Sequence, residues 1–264
     1  MNDNADIVNE NDSELGEGVI EGRNSVTEAM NVGITLDKVY IAKGDDKTLA
    51  RIAAKAKASG AVVIESDRRA LDSMSVTKAH QGVIAHTAIT AYADIDDILE
   101  LARAKNEDPF IVVCDSINDT QNLGAIIRTA ECAGAHGIII PKRRSAGLTA
   151  GVGKSSAGAV WHMPVARTPN LASTLTELKK AGLWIFGADP DVDGGNSIDL
   201  WSADLTGAVC LVIGSEGAGM GRLIRERCDF LVSIPMNGKM TSLNASASAA
   251  ILLYEAVRQR KLPR

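Results

Sequence analysis

The chain has 264 residues, of which 45% are hydrophobic and 23% charged, values typical of a globular protein with one large or two small domains. Aromatic residues make up only 3%, which excludes a surface built mainly on stacking of bases against aromatic rings. No apolar stretch approaches 18 uncharged residues, so no membrane span is expected. The acidic N-terminus is unlike a secretory signal. These features predict a cytoplasmic protein.

The formal net charge of −5 arises at one end of the chain. Residues 1–21 contain no Lys or Arg, and their seven acidic residues are Asp3, Asp6, Glu10, Asp12, Glu14, Glu17 and Glu21. Subtracting these seven from the 33 acidic residues leaves 26 against 28 basic ones, so the remainder carries +2. That balance permits RNA binding without requiring it. Residues 1–17, rich in Asn, Asp, Glu and Gly, are predicted to be a disordered acidic tail.

Short helical and strand-like patterns alternate between residues 18 and 90. Helices are predicted at Asn24–Val32, Thr48–Ser59 and Asp67–Met74, and strands at Lys38–Ala42, Ala61–Glu65 and Gly82–Ala88. This alternation predicts a small α/β domain. The following residues, 91–108, contain an amphipathic helical pattern at Asp94–Lys105 and a polar loop, and we expect them to join two domains.

Residues 109–264 contain short continuous apolar runs, as expected of strands buried on both faces of a parallel sheet. The runs are Phe110–Cys114, Gly137–Ile140, Met163–Ala166, Trp184–Ala188, Val209–Ile213 and Phe230–Ile234. Helical patterns lie between several of them. The pattern predicts a doubly wound α/β sheet, in which ligands bind at the carboxyl ends of the strands.

The loop after Cys114 carries a candidate functional cation. It is rich in turn and cap residues and leads into a helix that is predicted to start near Asn122 or Leu123. The buried face of this helix is predicted to be Leu123, Ile126, Ile127 and Ala130. Arg128 lies about 140° around the helix from Leu123, given roughly 3.6 residues per turn. It therefore projects from the core, either as a solvated surface residue or as a functional group.

Two further loops follow predicted strands. Gly214–Gly221 contains four glycines, which suits either a flexible turn or a backbone that approaches a ligand closely. The loop after Ile234 leads into a long helix, Ala245–Arg260, with Ser242 or Asn244 as its N-cap. The N–H groups at that helix start could also bind an anionic ligand group.

Histidine and cysteine give no sign of a metal site. The four histidines, His80, His86, His136 and His162, are scattered along the chain. The four cysteines lie far apart without a Cys-x-x-Cys motif, and each lies in or beside an apolar segment. We therefore expect buried free thiols and no metal ion.

Taken together and in this order, the loops resemble the three motifs of the SpoU/TrmH family of RNA ribose 2′-O-methyltransferases. The matching segments are Asn122–Ala130, Leu211–Gly217 with Gly219, and Ile234–Met236 followed by Ser242–Ser246. Ser155–Ala159 with Pro164 looks like a further family element. The N-terminal unit resembles the ribosomal-protein L30e-like substrate domain of some members, through Glu21–Val26 and His80–Val83.

The resemblance implies an α/β protein with a C-terminal parallel-sheet domain that contains a deep trefoil knot, and a small L30e-like N-terminal domain. The implied layout is a tail at 1–17, an RNA substrate-binding domain at 18–90, a linker at 91–108 and a methyltransferase domain at 109–264. It also implies S-adenosylmethionine as methyl donor, a homodimer, and a guanosine of 23S rRNA as the target. A tRNA methyltransferase and a non-catalytic RNA-binding assembly factor remain alternatives.

The resemblance assigns roles to particular residues. Arg128 would act on the 2′-oxygen, and Glu216 would orient Arg128 or a partner side chain. Hydrogen bonds that hold the loops and the ribose would come from Asn122, Ser242 and Asn244. The methyl donor would contact Gly214, Gly219, Ile234, Met236 and Leu243. RNA contacts in the N-terminal unit would be Arg23, Asn24 and Lys43.

Overall fold

The computed structural model describes residues 18–189 and 197–261, so the predicted disordered tail, residues 1–17, lies outside the described residues. The chain forms two compact units. The first consists of the described residues up to Ala91 together with Gly147–Gly151, and the second of Tyr92–Ala146 and the described residues from Val152 onward. Among the described helices, none has both the length and the apolar character needed to cross a membrane.

The first unit is a small α/β fold, as the alternating pattern predicts. Its elements are β1 (Val19–Glu21), α1 (Arg23–Asn31), β2 (Leu36–Ala42), α2 (Lys47–Ala58), β3 (Val62–Ser66), α3 (Arg68–Met74) and β4 (Val83–Thr87). The strand order is β1-β4-β2-β3, with only the β2–β3 pair parallel. Helix α2 starts where it does because the Asp46 carboxylate accepts the N–H groups of Thr48 and Leu49.

The second unit contains the predicted parallel sheet. Its helices are α4 (Ile95–Ala104), α5 (Thr120–Cys132), α6 (Ala150–Ser155), α7 (Leu171–Lys180), α8 (Arg222–Arg225) and α9 (Ala245–Lys261). Its strands are β5 (Phe110–Cys114), β6 (Gly137–Pro141), β7 (Val165–Thr168), β8 (Trp184–Ala188), β9 (Ser197–Asp199), β10 (Val209–Ile213) and β11 (Phe230–Ser233). Short 3₁₀ turns at Ala159–Trp161 and Leu200–Ser202 complete it.

All neighbouring strands of this sheet run parallel, in the order β7-β6-β5-β10-β8-β11-β9. Every residue of β5 and of β10 is buried, which explains why both strands are continuous apolar runs in the sequence. Because the strands are parallel, the loops that follow β5, β6, β10 and β11 all lie at one edge of the sheet.

Helix α5 positions one of these loops. It begins at Thr120, two or three residues earlier than predicted, because the Asp119 carboxylate accepts the N–H of Gln121 at 2.6 Å. Its predicted inner face is confirmed, since Leu123, Ile126, Ile127 and Ala130 are all fully buried. Arg128 is exposed, as the helical spacing predicts. Helix α9 packs against α5.

The cysteine prediction is wrong for one residue. Cys114, Cys210 and Cys228 are buried free thiols, but Cys132 is exposed. Cys132 follows Arg128 by four residues and therefore lies on the same outward face of α5. Its apolar sequence neighbours belong to other faces of the helix.

The four thiols should differ sharply in reactivity. Burial raises the pKa of Cys114 and of Cys228 to about 12, and it also raises the pKa of Cys210. Because the thiolate is the reactive form, the native protein should react rapidly with dithionitrobenzoate at about one thiol per chain. Unfolding should expose the rest, and Cys132→Ser should abolish the rapid phase. Rapid reaction of several thiols in the native protein would contradict the burial pattern.

Candidate active site

Side chains from the first turn of α5 and from two loops converge at the carboxyl edge of the parallel sheet. Asn244 donates a hydrogen bond from Nδ2 to Oδ1 of Asn122 at 2.9 Å, and the same amide group contacts Oε1 of Glu216. Asn122 donates from its own Nδ2 to Glu216 Oε1 at 3.2 Å. We call these three residues the amide cluster. It joins the segments after β5, β10 and β11 into one site.

Asn244 serves two purposes at once. Its Oδ1 accepts the backbone N–H groups of Ser246 and Ala247, at 2.9 and 3.3 Å, and the Ser246 hydroxyl at 2.6 Å. These bonds make it the N-cap of α9, as the sequence predicts. With Oδ1 used for the cap and Nδ2 for the cluster, the orientation of the side chain is fixed.

The first turn of α5 is held by a close backbone approach. A Cβ atom on Gly124 would lie 1.9 Å from the Ser155 Oγ and 2.8 Å from the Ser156 nitrogen, so only glycine fits at this position. Ser155 donates from Oγ to the Thr120 carbonyl at 2.8 Å. The segment that begins at Ser155 therefore fixes the helical turn that carries Asn122.

The glycine-rich loop is folded tightly back on itself. Ser215 and Gly219 exchange two backbone hydrogen bonds of 3.0 and 2.9 Å. A Cβ atom on Gly214 would lie 2.4 Å from the Gly219 carbonyl carbon and 2.5 Å from the Met220 nitrogen, so any larger residue at 214 would force the loop open. This narrow loop presents Glu216 to the amide cluster.

A buried carboxylate that the sequence did not single out ties this loop to β5. Asp115 is 7% exposed, and its Oδ2 accepts the N–H of Gly221 at 2.8 Å. Its Oδ1 accepts from the Ser116 hydroxyl at 3.0 Å. The partner is a backbone group 106 residues away, so nothing in the local sequence distinguishes Asp115 from the other turn and cap residues around it.

A cavity of about 330 Å³ lies at the ends of β8, β10 and β11. Its walls include all five residues that the sequence predicts to contact the methyl donor: Gly214, Gly219, Ile234, Met236 and Leu243. An ion pair missed at the sequence level, Arg225 Nε to Asp189 Oδ2 at 3.1 Å, also borders it. The volume falls within the range of small-molecule sites, roughly 300–1,000 Å³.

The remaining predicted residues of the second unit lie apart from the amide cluster. Ser242 is exposed and borders the cavity. Arg128 is exposed on α5, and within residues 18–189 and 197–261 its side chain makes no hydrogen bond or ion pair. Glu216 is therefore bound to Asn122 and Asn244 rather than to Arg128.

In the first unit, two of the three predicted RNA contacts are engaged within the fold. Arg23 bonds Asp46 Oδ2 at 2.7 Å and the Gln81 carbonyl at 3.1 Å, and Lys43 pairs with Asp67 at 3.1 Å. Asn24 is exposed and borders a second cavity of about 570 Å³ that is confined to this unit. Of the three, Asn24 is thus the one whose side chain makes no hydrogen bond to another residue that the structure describes.

Comparison with known proteins identifies the family. Residues 109–254 match the SpoU rRNA Methylase family, and residues 19–93 match the family described as RNA 2′-O ribose methyltransferase substrate binding. The chain belongs to the SpoU rRNA methylase family. A protein of Bacillus subtilis (strain 168), named as a TrmH family tRNA/rRNA methyltransferase, YacO, is 47% identical over 240 residues, covering 90% of this chain and 94% of that protein.

Solved structures agree with the family and with the fold. The SpoU methyltransferase AviRb from Streptomyces viridochromogenes, in complex with AdoMet, is 28% identical with a TM-score of 0.58, covering 96% of this chain and 93% of that one. The A. aeolicus TrmH/SpoU tRNA modifying enzyme is 27% identical with a TM-score of 0.53, covering 58% of this chain and 76% of that one. The C-terminal sheet is therefore that of a trefoil-knot methyltransferase, and this SpoU enzyme uses S-adenosylmethionine to methylate RNA ribose 2′-hydroxyls, which confirms these predictions.

The residues of the 330 Å³ cavity fit that donor. S-adenosylmethionine combines a flat ring system with a charged amino-acid end. Ile234, Met236 and Leu243 offer apolar side chains, whereas the Asp189–Arg225 pair offers charge. Such a mixture of apolar walls and a few polar groups is typical of cofactor sites.

Asp115 should control affinity for the donor through the glycine-rich loop. Asp115→Ala leaves the Gly221 N–H without its acceptor, a loss of about 1–3 kcal/mol for a buried group, so the donor should bind about tenfold more weakly in calorimetry. Asp115→Asn keeps an acceptor oxygen and should restore most of the affinity.

Asp119→Ala is the matched control, since this neighbouring carboxylate caps α5 and does not contact the glycine-rich loop. It should leave donor affinity nearly unchanged. Equal affinities in Asp115→Ala and the unaltered protein would contradict a positioning role for Asp115.

Proposed function

We propose that this SpoU enzyme methylates the ribose 2′-hydroxyl of a guanosine in 23S rRNA. The rRNA target is supported by the match of residues 109–254 to the SpoU rRNA Methylase family, together with the substrate-binding match at residues 19–93. The A. aeolicus tRNA modifying enzyme matches 58% of this chain, a share too small to include both units. We divide the chain accordingly into a substrate-binding domain at 18–90, a linker at 91–108 and a methyltransferase domain at 109–264.

Labelled methyl transfer to purified RNA tests the target. RNA from a strain that lacks the gene should accept methyl groups in 23S rRNA at one guanosine, detected as a site that resists alkaline cleavage. Transfer only to the tRNA fraction would replace the rRNA proposal by the tRNA alternative. No transfer to either fraction, together with no donor binding, would support the non-catalytic assembly factor.

S-adenosylmethionine supplies the methyl group already activated as a sulfonium. The protein must place the 2′-oxygen in line with that group and assist removal of its proton. In our proposal the amide cluster holds the start of α5, which faces the RNA, in a fixed position relative to the loops after β10 and β11, which border the donor cavity. Ser242, with an exposed hydroxyl at the cavity, contacts the ribose.

We assign Arg128 to contacts with the RNA at the reacting nucleotide. Its guanidinium has no partner among the described residues and lies on the helix that carries Asn122. An arginine remains protonated at physiological pH and is a poor base. We therefore assign it to binding an RNA phosphate and stabilising negative charge on the 2′-oxygen, with the phosphate or water taking the proton.

The proposal includes a homodimer that acts in the cytoplasm, where RNA and the methyl donor are both present. Large apolar side chains are exposed on the second unit, among them Trp161, Leu223 and Tyr254 at 58%, 51% and 51%. Such exposed side chains suit burial against a second copy. No metal ion has a role in this scheme, and the described residues contain no cluster of three or more His, Cys, Asp or Glu suited to hold one.

In the substrate-binding domain we assign RNA binding first to Asn24, which borders the cavity of the first unit with a free amide. The side chains of Arg23 and Lys43 are 34% and 59% exposed beside their ion pairs and would add positive charge. Together they form the proposed RNA contact of this domain.

Arg128→Ala should reduce methyl transfer by a factor of about 100 or more, the usual effect of removing a group that stabilises charge in the transition state. Donor affinity measured by calorimetry should change less than about twofold, because Arg128 does not border the cavity. Arg103→Ala, an exposed arginine on α4, is the control and should remain active. Full turnover by Arg128→Ala would overturn the assignment.

A further inference from the structure

Three consecutive basic residues follow β6. Lys142 is partly exposed, and Arg143 and Arg144 are exposed. In the parts of the chain that the structure describes, none of the three side chains makes an ion pair or hydrogen bond. We call residues 142–144 the basic loop. Adjacent positive charges without acidic partners repel one another, so this arrangement contributes nothing favourable to folding by itself.

The basic loop is anchored at both ends. The Lys142 N–H donates to the Thr168 carbonyl at 2.8 Å, and the Ala146 N–H donates to the Ile117 carbonyl at 2.8 Å. The buried Ser145 hydroxyl also reaches the Ile117 carbonyl, at 3.3 Å. Ile117 belongs to the loop between β5 and α5, the loop that leads to Asn122. The basic loop is thus fixed directly to a segment of the active site.

Backbone strain accompanies this anchoring. Arg144 has a φ of 58°, a left-handed conformation that costs free energy for a residue other than glycine, Asn or Asp. A fold retains such a conformation where the surroundings enforce it, and strained residues cluster at functional sites. The two guanidinium groups are therefore presented by a defined turn.

The strand order places the basic loop on the β5 side of the cavity. The donor cavity lies at the ends of β8, β10 and β11, and Asn122 follows β5. Strand β6 borders β5 on the side away from β10, one strand spacing of about 4.8 Å further from the cavity. In-line transfer requires the acceptor oxygen to face the donor across the methyl group. An RNA strand that crosses the end of β5 beside Asn122 would also pass the basic loop after β6.

We propose that the basic loop binds the phosphates of the RNA strand that flanks the target nucleotide. Arginine binds phosphate through two parallel N–H groups and lysine as a point charge. Such contacts position the RNA without reading its sequence. This inference rests on the proposed function, because it assumes an RNA substrate at the second unit.

The test is a triple variant, Lys142→Gln, Arg143→Gln and Arg144→Asn, in which Asn tolerates the left-handed backbone of residue 144. Binding to unmethylated 23S rRNA is measured over a range of KCl concentrations. Affinity should fall at least tenfold, and the slope of log K against log salt should become shallower by about two, since each lost phosphate contact removes roughly 0.7–0.9. Donor affinity should stay unchanged, because the basic loop does not border the cavity.

A matched control removes the same charge elsewhere in the second unit. Arg103, Lys105 and Lys180 are exposed and precede the first residues of β5 and β8, so they lie toward the opposite edge of the sheet. Their replacement by Gln should change RNA affinity less than about twofold. Equal losses in the two triple variants would show a general charge effect and overturn the proposal, as would an unchanged affinity and slope in the basic-loop variant.

Two outcomes separate this inference from the proposed function. If the unaltered protein binds neither rRNA nor tRNA, the proposed function fails. If it binds RNA and the basic-loop variant binds equally well, only the inference fails. If the triple variant misfolds and loses donor binding, the single variant Arg143→Gln is tested instead. The inference predicts that its slope of log K against log salt is shallower by about 0.7–0.9. An unchanged slope would show that the inference is wrong.

Discussion

The candidate active site is joined through one carboxylate oxygen. Glu216 Oε1 accepts the side-chain amides of both Asn122 and Asn244, and hydrogen bonds to an ionised acceptor are stronger than those between neutral groups. Each amide belongs to a helix start: Asn122 lies in the first turn of α5, and Asn244 caps α9. The amide cluster therefore links the starts of two helices to the glycine-rich loop.

Around that cluster, most of the site is shaped by backbone rather than by side chains. Gly124 allows Ser155 to reach the first turn of α5, and Gly214 allows the glycine-rich loop to close on itself. Asp115 then holds the end of that loop by accepting a backbone N–H. The cavity beside it is lined in part by glycines and apolar side chains, with the Asp189–Arg225 ion pair at its border. Its residues consequently look like ordinary turn and core residues when each is considered alone.

This explains which features the sequence could predict. β5, β8 and β10 were predicted with their observed bounds, because a strand buried on both faces is a continuous apolar run. The strands β1 and β9 have three residues each and were missed, since their existence depends on pairing with distant strands. Helical spacing predicts the exposure of Arg128. The contacts of Glu216 link it to residues 94 and 28 positions away, and these positions can be grouped only through family resemblance. Hydrophobic periodicity does not show whether a chain passes through a loop, so only the family resemblance predicts the knot.

Several charged side chains near the carboxyl edge of the second unit's sheet differ in whether the protein itself supplies a partner. Three carboxylates near the carboxyl edge, those of Asp115, Asp119 and Glu216, each accept N–H groups of the protein itself. Arg128 and the basic loop have no such partners among the described residues. These three carboxylates thus hold the fold, whereas Arg128 and the basic loop stay available for a polyanion; other cations of the unit, such as Arg225, are paired with carboxylates. The net charge of −5 conceals this arrangement, because a potential at a surface depends on where unpaired charges lie rather than on their sum.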